Sequence, residues 1–306
     1  EQGSSSGFSS NPQDYLRIDD ETAWVSRYQP NLDPGAAEID RGNDLLRIDP
    51  SKMERTDERI DLSQFNTKVT RVNFETKKEE EVDIYAKPSR ITRVGDTLVV
   101  GLMRSDLAFS ANASGMIALV DLKTRKVTGL DLPGMQGCTK VAPIPGDDER
   151  VLVTCGGDYL DVRGTAGFAI VQVKGGKATL EESWVAKEHA DAPALSGCSV
   201  SLGGTLIAAA YSGYAPGDDS VFGVLDLASG AFDELFTIPG GEGTPGTPLY
   251  DADRQLLIVP DASQDGDMRP TGGLRLFARD GDEFEESKLL KVAEDTTLPA
   301  RHVYPL

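Results

Sequence analysis

A four-strand unit recurs along this chain about every 50 residues, and that repeat narrows the choice of fold more than any other feature. Its anchor is a short apolar strand: Thr97-Leu-Val-Val-Gly101, Arg150-Val-Leu-Val-Thr154, Thr205-Leu-Ile-Ala-Ala209 and Gln255-Leu-Leu-Ile-Val259. Leu98, Val151, Leu206 and Leu256 are equivalent, at successive spacings of 53, 55 and 50 residues. Each run is bounded by Gly, Pro or Asp, and short Val/Leu/Ile runs between such turn residues read as strands. A third strand ends on Asp before a turn, at Asp49, Asp121 and Asp226, and a fourth follows at 59–62, 128–132 and 233–238. The Asp carboxylate is placed to accept backbone N–H groups of the turn, and the Ser or Thr after it can do likewise. No long segment has helical periodicity. Residues 181–194 come nearest, but Pro193 and the strand-like setting of Trp184 argue against a helix. Four-stranded units of this length are the pattern of β-propeller blades.

Over 45–62, 117–132 and 222–238 the strand, Asp turn and second strand resemble the YVTN family of propeller repeats. Over 15–306 the chain is similar to a group of uncharacterised secreted bacterial propeller proteins, read as lipoproteins. The resemblance implies an all-β propeller and says nothing of a reaction. Two units depart from it. Val173 stands where Asp121 stands in its own unit, and Arg275-Leu-Phe-Ala278 has no Asp before its turn. Both keep hairpin-forming residues, Gly175-Gly176 and Asp280-Gly281.

Complete units start near Pro88, Cys138, Cys198 and Thr247, and a fifth begins with strands at 15–18 and 23–27. The expectation is a β-propeller of about five four-stranded blades, with six as the alternative. Residues 68–85 exceed one blade and read as an inserted β-hairpin, projecting or extending a blade edge. Residues 1–13 form a flexible tether and 14–306 a single propeller domain. Pro299-Ala-Arg-His-Val-Tyr304 parallels Pro88-Ser-Arg-Ile-Thr-Arg93, so a C-terminal strand competes with 15–18 for the innermost place of the first blade.

Charge narrows the partners. Fifty acidic against 31 basic side chains give a formal net charge of −19, which repels nucleic acid and anionic membranes. The Gly/Ser leader over 1–7 resembles the tethers that follow the lipid-modified cysteine of bacterial surface lipoproteins. This points to export, to the periplasm, outer membrane or cell surface, with membrane contact only through an N-terminal lipid anchor. Of three cysteines, Cys138 and Cys155 flank the turn at 145–148 symmetrically. They would face each other across a hairpin, so a disulfide is expected, with Cys198 a buried free thiol. A bridge suits an oxidising compartment.

Long loops between second and third strands carry carboxylates: Asp33 and Asp40, Asp106, Asp158 and Asp161, Asp218 and Asp219, and Asp261, Asp265 and Asp267. In a propeller these loops share a face with the segments linking successive blades, and extra loop length on one face is where binding usually resides. Asp106, Asp158, Asp161, Asp218, Asp219, Asp261, Asp265 and Asp267, with His302 on a predicted innermost strand, are the candidate ligand-binding face. Ca²⁺ is the candidate ion, although 261–267 does not fit the EF-hand pattern. With only His189 and His302, histidine-based catalysis has little material. Some similar propellers are lactonases that bind Ca²⁺ or use His/Arg pairs, and no residue set here matches either arrangement. The reading is therefore a non-enzymatic module that binds a protein or a small polar or cationic ligand. The alternatives are a divalent-metal-dependent lactonase-like hydrolase and a structural subunit of a surface assembly.

Overall fold

The computed structural model describes residues 8–73, 75–158, 161–189, 199–211, 219–239, 246–263, 271–281 and 283–291. Among them the chain is an all-β propeller of five four-stranded antiparallel sheets and one separate hairpin. The first sheet is β1 (Pro12–Arg17), β2 (Ala23–Pro30), β3 (Gly42–Asp49) and β4 (Glu54–Asp61). The hairpin is β5 (Thr67–Val72) and β6 (Glu79–Ile84). The second sheet is β7 (Pro88–Val94), β8 (Thr97–Leu102), β9 (Gly115–Asp121) and β10 (Val127–Leu132). The third is β11 (Lys140–Ile144), β12 (Asp147–Cys155), β13 (Gly167–Lys174) and β14 (Lys177–Val185). The fourth is β15 (Ser199–Gly203), β16 (Leu206–Tyr211), β17 (Ser220–Asp226) and β18 (Phe232–Ile238). The fifth is β19 (Leu249–Asp251), β20 (Leu256–Asp261), β21 (Gly273–Asp280) and β22 (Glu283–Lys291). Helix among these residues is confined to one turn, Val162–Thr165, and three short 3-10 turns, and none is long or apolar enough to cross a membrane.

Each sheet follows the sequence without crossover, because every connection is a turn or loop joining antiparallel neighbours. The turn chemistry is the expected one. Asp121 accepts the N–H groups of Lys123 and Thr124 at 2.9 and 2.7 Å. Asp49 accepts the N–H and hydroxyl of Ser51 at 3.0 and 2.6 Å, and Asp226 the N–H of Ala228 and the Ser229 hydroxyl at 3.1 and 2.7 Å. The Thr124 and Lys123 bonds hold the Asp121 carboxyl below the usual range, and Asp226 is held down first by the Thr205 hydroxyl, which donates to it at 2.6 Å, and then by the Ser229 and Ala228 bonds. The hairpin at Gly175-Gly176 has positive φ at both positions, a backbone that glycine adopts without cost.

The chain clusters into two compact units, residues 1–143 with 148–185, and residues 144–147 with 186–306. In the first, alternate side chains of each strand serve opposite faces. Leu98 and Val100 of β8 join Trp24 and Leu45 of the first sheet, whereas Val99 joins Val151, Val153, Ala169 and Val171 of the third. In the second, Ala208, Phe222 and Val224 of the fourth sheet pack with Leu257, Val259 and Phe277 of the fifth. Phe236 stacks between Phe222 and Phe277, with ring centroids 5.5 and 6.0 Å apart.

Cys138 and Cys155 form the expected disulfide, inside the core between the second and third sheets. Gly115 beside it has no room for a side chain, since a Cβ there would lie 2.6 Å from Cys138 Sγ. The inserted hairpin neither extends a blade edge nor stands clear of the protein. β5 and β6 form their own two-stranded sheet, and Val69, Val82 and Ile84 pack on Ala111 and Ala113 of the β8–β9 loop. The first strand of the first sheet is the N-terminal β1, whose Asp14 carboxylate accepts the N–H of Ile91 in β7 at 2.8 Å. The parallel segment 299–304, and Cys198, lie outside the described residues.

Candidate functional site at the loop end of the first unit

Within the first unit, second-to-third-strand loops adjoin the segments linking successive sheets, as the propeller reading expects. Met103 and Arg104 donate backbone N–H bonds to the carbonyls of Lys87 and Ala86, both at 3.1 Å, and Tyr85 donates to Ser105 O at 3.1 Å. Farther along, Gly156 and Gly157 donate to Gly137 and Gln136 in the same manner, at 3.0 and 2.9 Å.

The β8–β9 loop, residues 103–114, holds the most unusual chemistry. Lys87 precedes β7 and is 0% exposed, with its ammonium turned beneath this loop. Its Nζ donates to Ser105 Oγ at 3.1 Å and to the Asp106 carbonyl at 2.5 Å. It lies 3.8 Å from the centre of the Phe109 ring and 5.3 Å from that of Tyr28, which stack on each other with centroids 6.2 Å apart. Both rings attract the cation through their faces. The Ser105 hydroxyl, on a residue 0% exposed, donates to the Asp106 carbonyl at 3.2 Å. Burial pulls the Lys87 ammonium down to about 8, against the opposing pull of the Asp106 charge. Burial also pushes the Tyr28 phenol up to about 12, with the Ser105 side chain acting the other way. Asn43, Lys87, Arg104 and Phe109 all have φ between +50 and +56°, so four non-glycine residues in the left-handed region gather at this end.

The sequence-selected carboxylates take up different duties. Asp106 folds its own loop, accepting the N–H and hydroxyl of Ser110 at 2.7 and 2.5 Å and the N–H of Ala111 at 3.2 Å. Burial would raise its carboxyl, but these bonds and the Arg71 guanidinium at 3.6 Å hold it below the usual range. Asp161 caps the single helical turn by accepting the Gly164 N–H at 3.0 Å, and Thr165 Oγ1 accepts the Asp158 N–H at 2.7 Å. In the second unit, buried Asp261 accepts Arg275 Nε at 2.7 Å and the Ser263 N–H at 3.0 Å. Arg275 also lies over Phe236 and bonds Glu286 at 2.9 Å. Asp219 is exposed before β17. Asp218, Asp265, Asp267 and His302 lie outside the described residues. Among the described residues no three His, Cys, Asp or Glu side chains converge to hold an ion.

Beside this loop, the first sheet buries a charged cluster. Arg27 binds Asp44 through two bonds of 2.7 and 2.6 Å, and Arg59 adds a third to Asp44 at 2.8 Å. A cleft of about 300 Å³ between hairpin and loops is lined by Arg71, Ser110, Asn112 and Asp158. Sequence reasoning missed Lys87, Ser105 and Tyr28, since no local motif joins them. The nearest signal was Pro88, which marked where a sheet begins without saying that the lysine before it is buried.

No protein-family model matches this chain, and no curated protein matches it in sequence. Among solved structures it is similar to a hypothetical selenium-binding protein from Sulfolobus tokodaii, with 11% identity and a TM-score of 0.54, over 96% of this chain and 71% of that one. It also aligns with a periplasmic gluconolactonase of Pseudomonas aeruginosa, at 14% identity and TM-score 0.44, over 94% and 87% of the two chains. A putative 6-phosphogluconolactonase from Bacteroides uniformis aligns at 11% identity and TM-score 0.43, over 95% and 72%. At these identities the first likeness speaks for the fold alone, and the other two carry no functional weight.

Proposed function

We propose that this chain is an exported, surface-anchored β-propeller of the YVTN-repeat kind that binds a protein or a small polar ligand through the loops at one end of its sheets. The observation that carries the reading is the β8–β9 loop. It is longer than a hairpin needs, presents Leu107 and Phe109 at 44% and 46% exposure, and is fixed from beneath by Asp106 and Lys87. A loop ordered before its ligand arrives loses little conformational entropy on binding. The Cys138–Cys155 bridge supports an oxidising compartment, hence export. The three loop carboxylates Asp106, Asp161 and Asp261 are spent on folding their loops, which favours a surface shaped by them over a rim that captures metal.

Calcium titration with thermal melting separates this from a metal-dependent hydrolase. A specific site raises stability by about 2.7 kcal/mol at a hundredfold excess over Kd, several degrees in Tm. The expected result is an unchanged Tm at millimolar Ca²⁺. A rise of several degrees, reversed by chelator, would overturn the metal-free reading.

A further inference from the structure

The buried amine and hydroxyl under the β8–β9 loop support chemistry as well as shape. Lys87 Nζ donates to Ser105 Oγ at 3.1 Å while that hydroxyl donates to the Asp106 carbonyl at 3.2 Å, and the same 3.1 Å is within general-base reach once Nζ has lost its proton. Serine alone is a weak nucleophile, and a neighbouring lysine that is neutral near working pH is one of the recurrent ways to activate it. A desolvated lysine approaches that condition, and the Asp106 carbonyl, which accepts from both Nζ and Ser105 Oγ, holds amine and hydroxyl side by side. Phe109 covers the amine, its ring 3.8 Å from Nζ, while the residue as a whole remains 46% exposed. Its φ of +56° is a strained backbone for a bulky residue. Leu107, also exposed, gives the same loop a second apolar side chain.

We propose that Ser105 and Lys87 form a serine–lysine nucleophile–base pair for acyl transfer from small apolar esters, with Phe109 as the cover that must move to admit them. Ser105 Oγ attacks the ester carbonyl carbon while its proton passes to neutral Nζ. The new Oγ–C bond forms, the bond to the alcohol oxygen breaks, and Nζ returns the proton to the departing alkoxide. Water then adds to the acyl carbon, losing its proton to Nζ. The acyl–Oγ bond breaks, and Ser105 recovers the proton as the carboxylic acid leaves. The lowered Lys87 ammonium supports the scheme, since roughly a tenth of the amine is then neutral at pH 7. The titratable groups facing it are Tyr28 from β2 and Asp106 from the loop, with Arg71 of β5 reaching Asp106 from the far side. This covalent chemistry goes beyond ligand binding, and its test uses no ligand of the loop surface.

The test is labelling of the intact protein with an alkyl fluorophosphonate, mapped by peptide mass spectrometry. Fluoride leaves as the Oγ–P bond forms. The expected result is a label on Ser105, at a rate rising with pH to a midpoint near 8. Phe109→Ala should label at least tenfold faster. Lys87→Arg, which keeps the charge but cannot act as base, should label about a hundredfold slower or less. The wild-type pH profile needs no variant to fold. Absence of label at Ser105 in both wild type and Phe109→Ala overturns the proposal, as does Lys87→Arg labelling at the wild-type rate.

Discussion

Lys87 places an ammonium group where solvent does not reach it, and that gives the folded protein a pH dependence of definite sign. Its folded value of about 8 lies below the ordinary value of 10.5, so between these limits the unfolded chain binds more protons than the folded one. Stability contributed by this group therefore rises as pH increases from about 8 to 10.5, and the cost of burying the charge is complete below 8. Tyr28 acts only at the top of this range, since its phenol, raised to about 12, withdraws stability as pH passes 10. Urea unfolding at pH 7, 8, 9 and 10 should show wild type gaining on Lys87→Met across the series. Equal pH dependence in the two proteins would mean that the amine is solvated. Asp44 presents the contrasting case, a buried carboxylate matched by the two-pronged Arg27 guanidinium and a third bond from Arg59, so its charge is satisfied where it sits.

Elements built from local rules stand where those rules place them. Asp49, Asp121 and Asp226 organise equivalent turns because a short carboxylate at a strand end reaches the N–H groups two and three residues on. The Cys138–Cys155 bridge ties the end of β12 to the segment just before β11, across a sequence separation of 17. Chain entropy for the loop so closed predicts a loss of about 3 kcal/mol in the Cys138→Ala/Cys155→Ala protein. Urea midpoints with and without reductant check this, and reductant should move the wild type alone. The β5–β6 hairpin obeys a different logic. Its strands are recognisable in sequence, but its seat on Ala111 and Ala113 comes from the apolar faces of Val69, Val82 and Ile84 meeting a loop far along the chain.

At the scale of the whole molecule, a net charge of −19 is a load on every folded arrangement of this chain. Folding brings like charges closer, and salt screens them: the Debye length falls from about 30 Å at 0.01 M to about 8 Å at 0.15 M. Ion pairs such as Arg47–Glu58 and Arg125–Glu58 are weakened by the same screening, but partly exposed pairs contribute little individually. Self-repulsion should therefore dominate, and Tm should rise when NaCl is increased from 10 to 150 mM. A fall in Tm would show that the ion pairs outweigh the excess charge.

Most of the architecture could be read from the sequence because strand period, Gly and Pro punctuation and Asp turns are properties of short windows. Leu98, Val151, Leu206 and Leu256 marked four of the five sheets, and two cysteines placed symmetrically about one turn named their own bridge. The duties of the loop carboxylates were not legible, because an Asp that ligates and an Asp that folds its own loop look alike in a sequence. Only the packed structure turned Asp106 onto Ser110 and Ala111, and Asp261 onto Arg275. Still less could sequence bring together Tyr28, Lys87 and Ser105. They lie on β2, on the segment before β7 and in the loop after β8, and they meet only because the first two sheets pack face to face. Lysine's ordinary preference is for solvent, so its burial is decided by tertiary packing against Tyr28 and Phe109 and by no local rule.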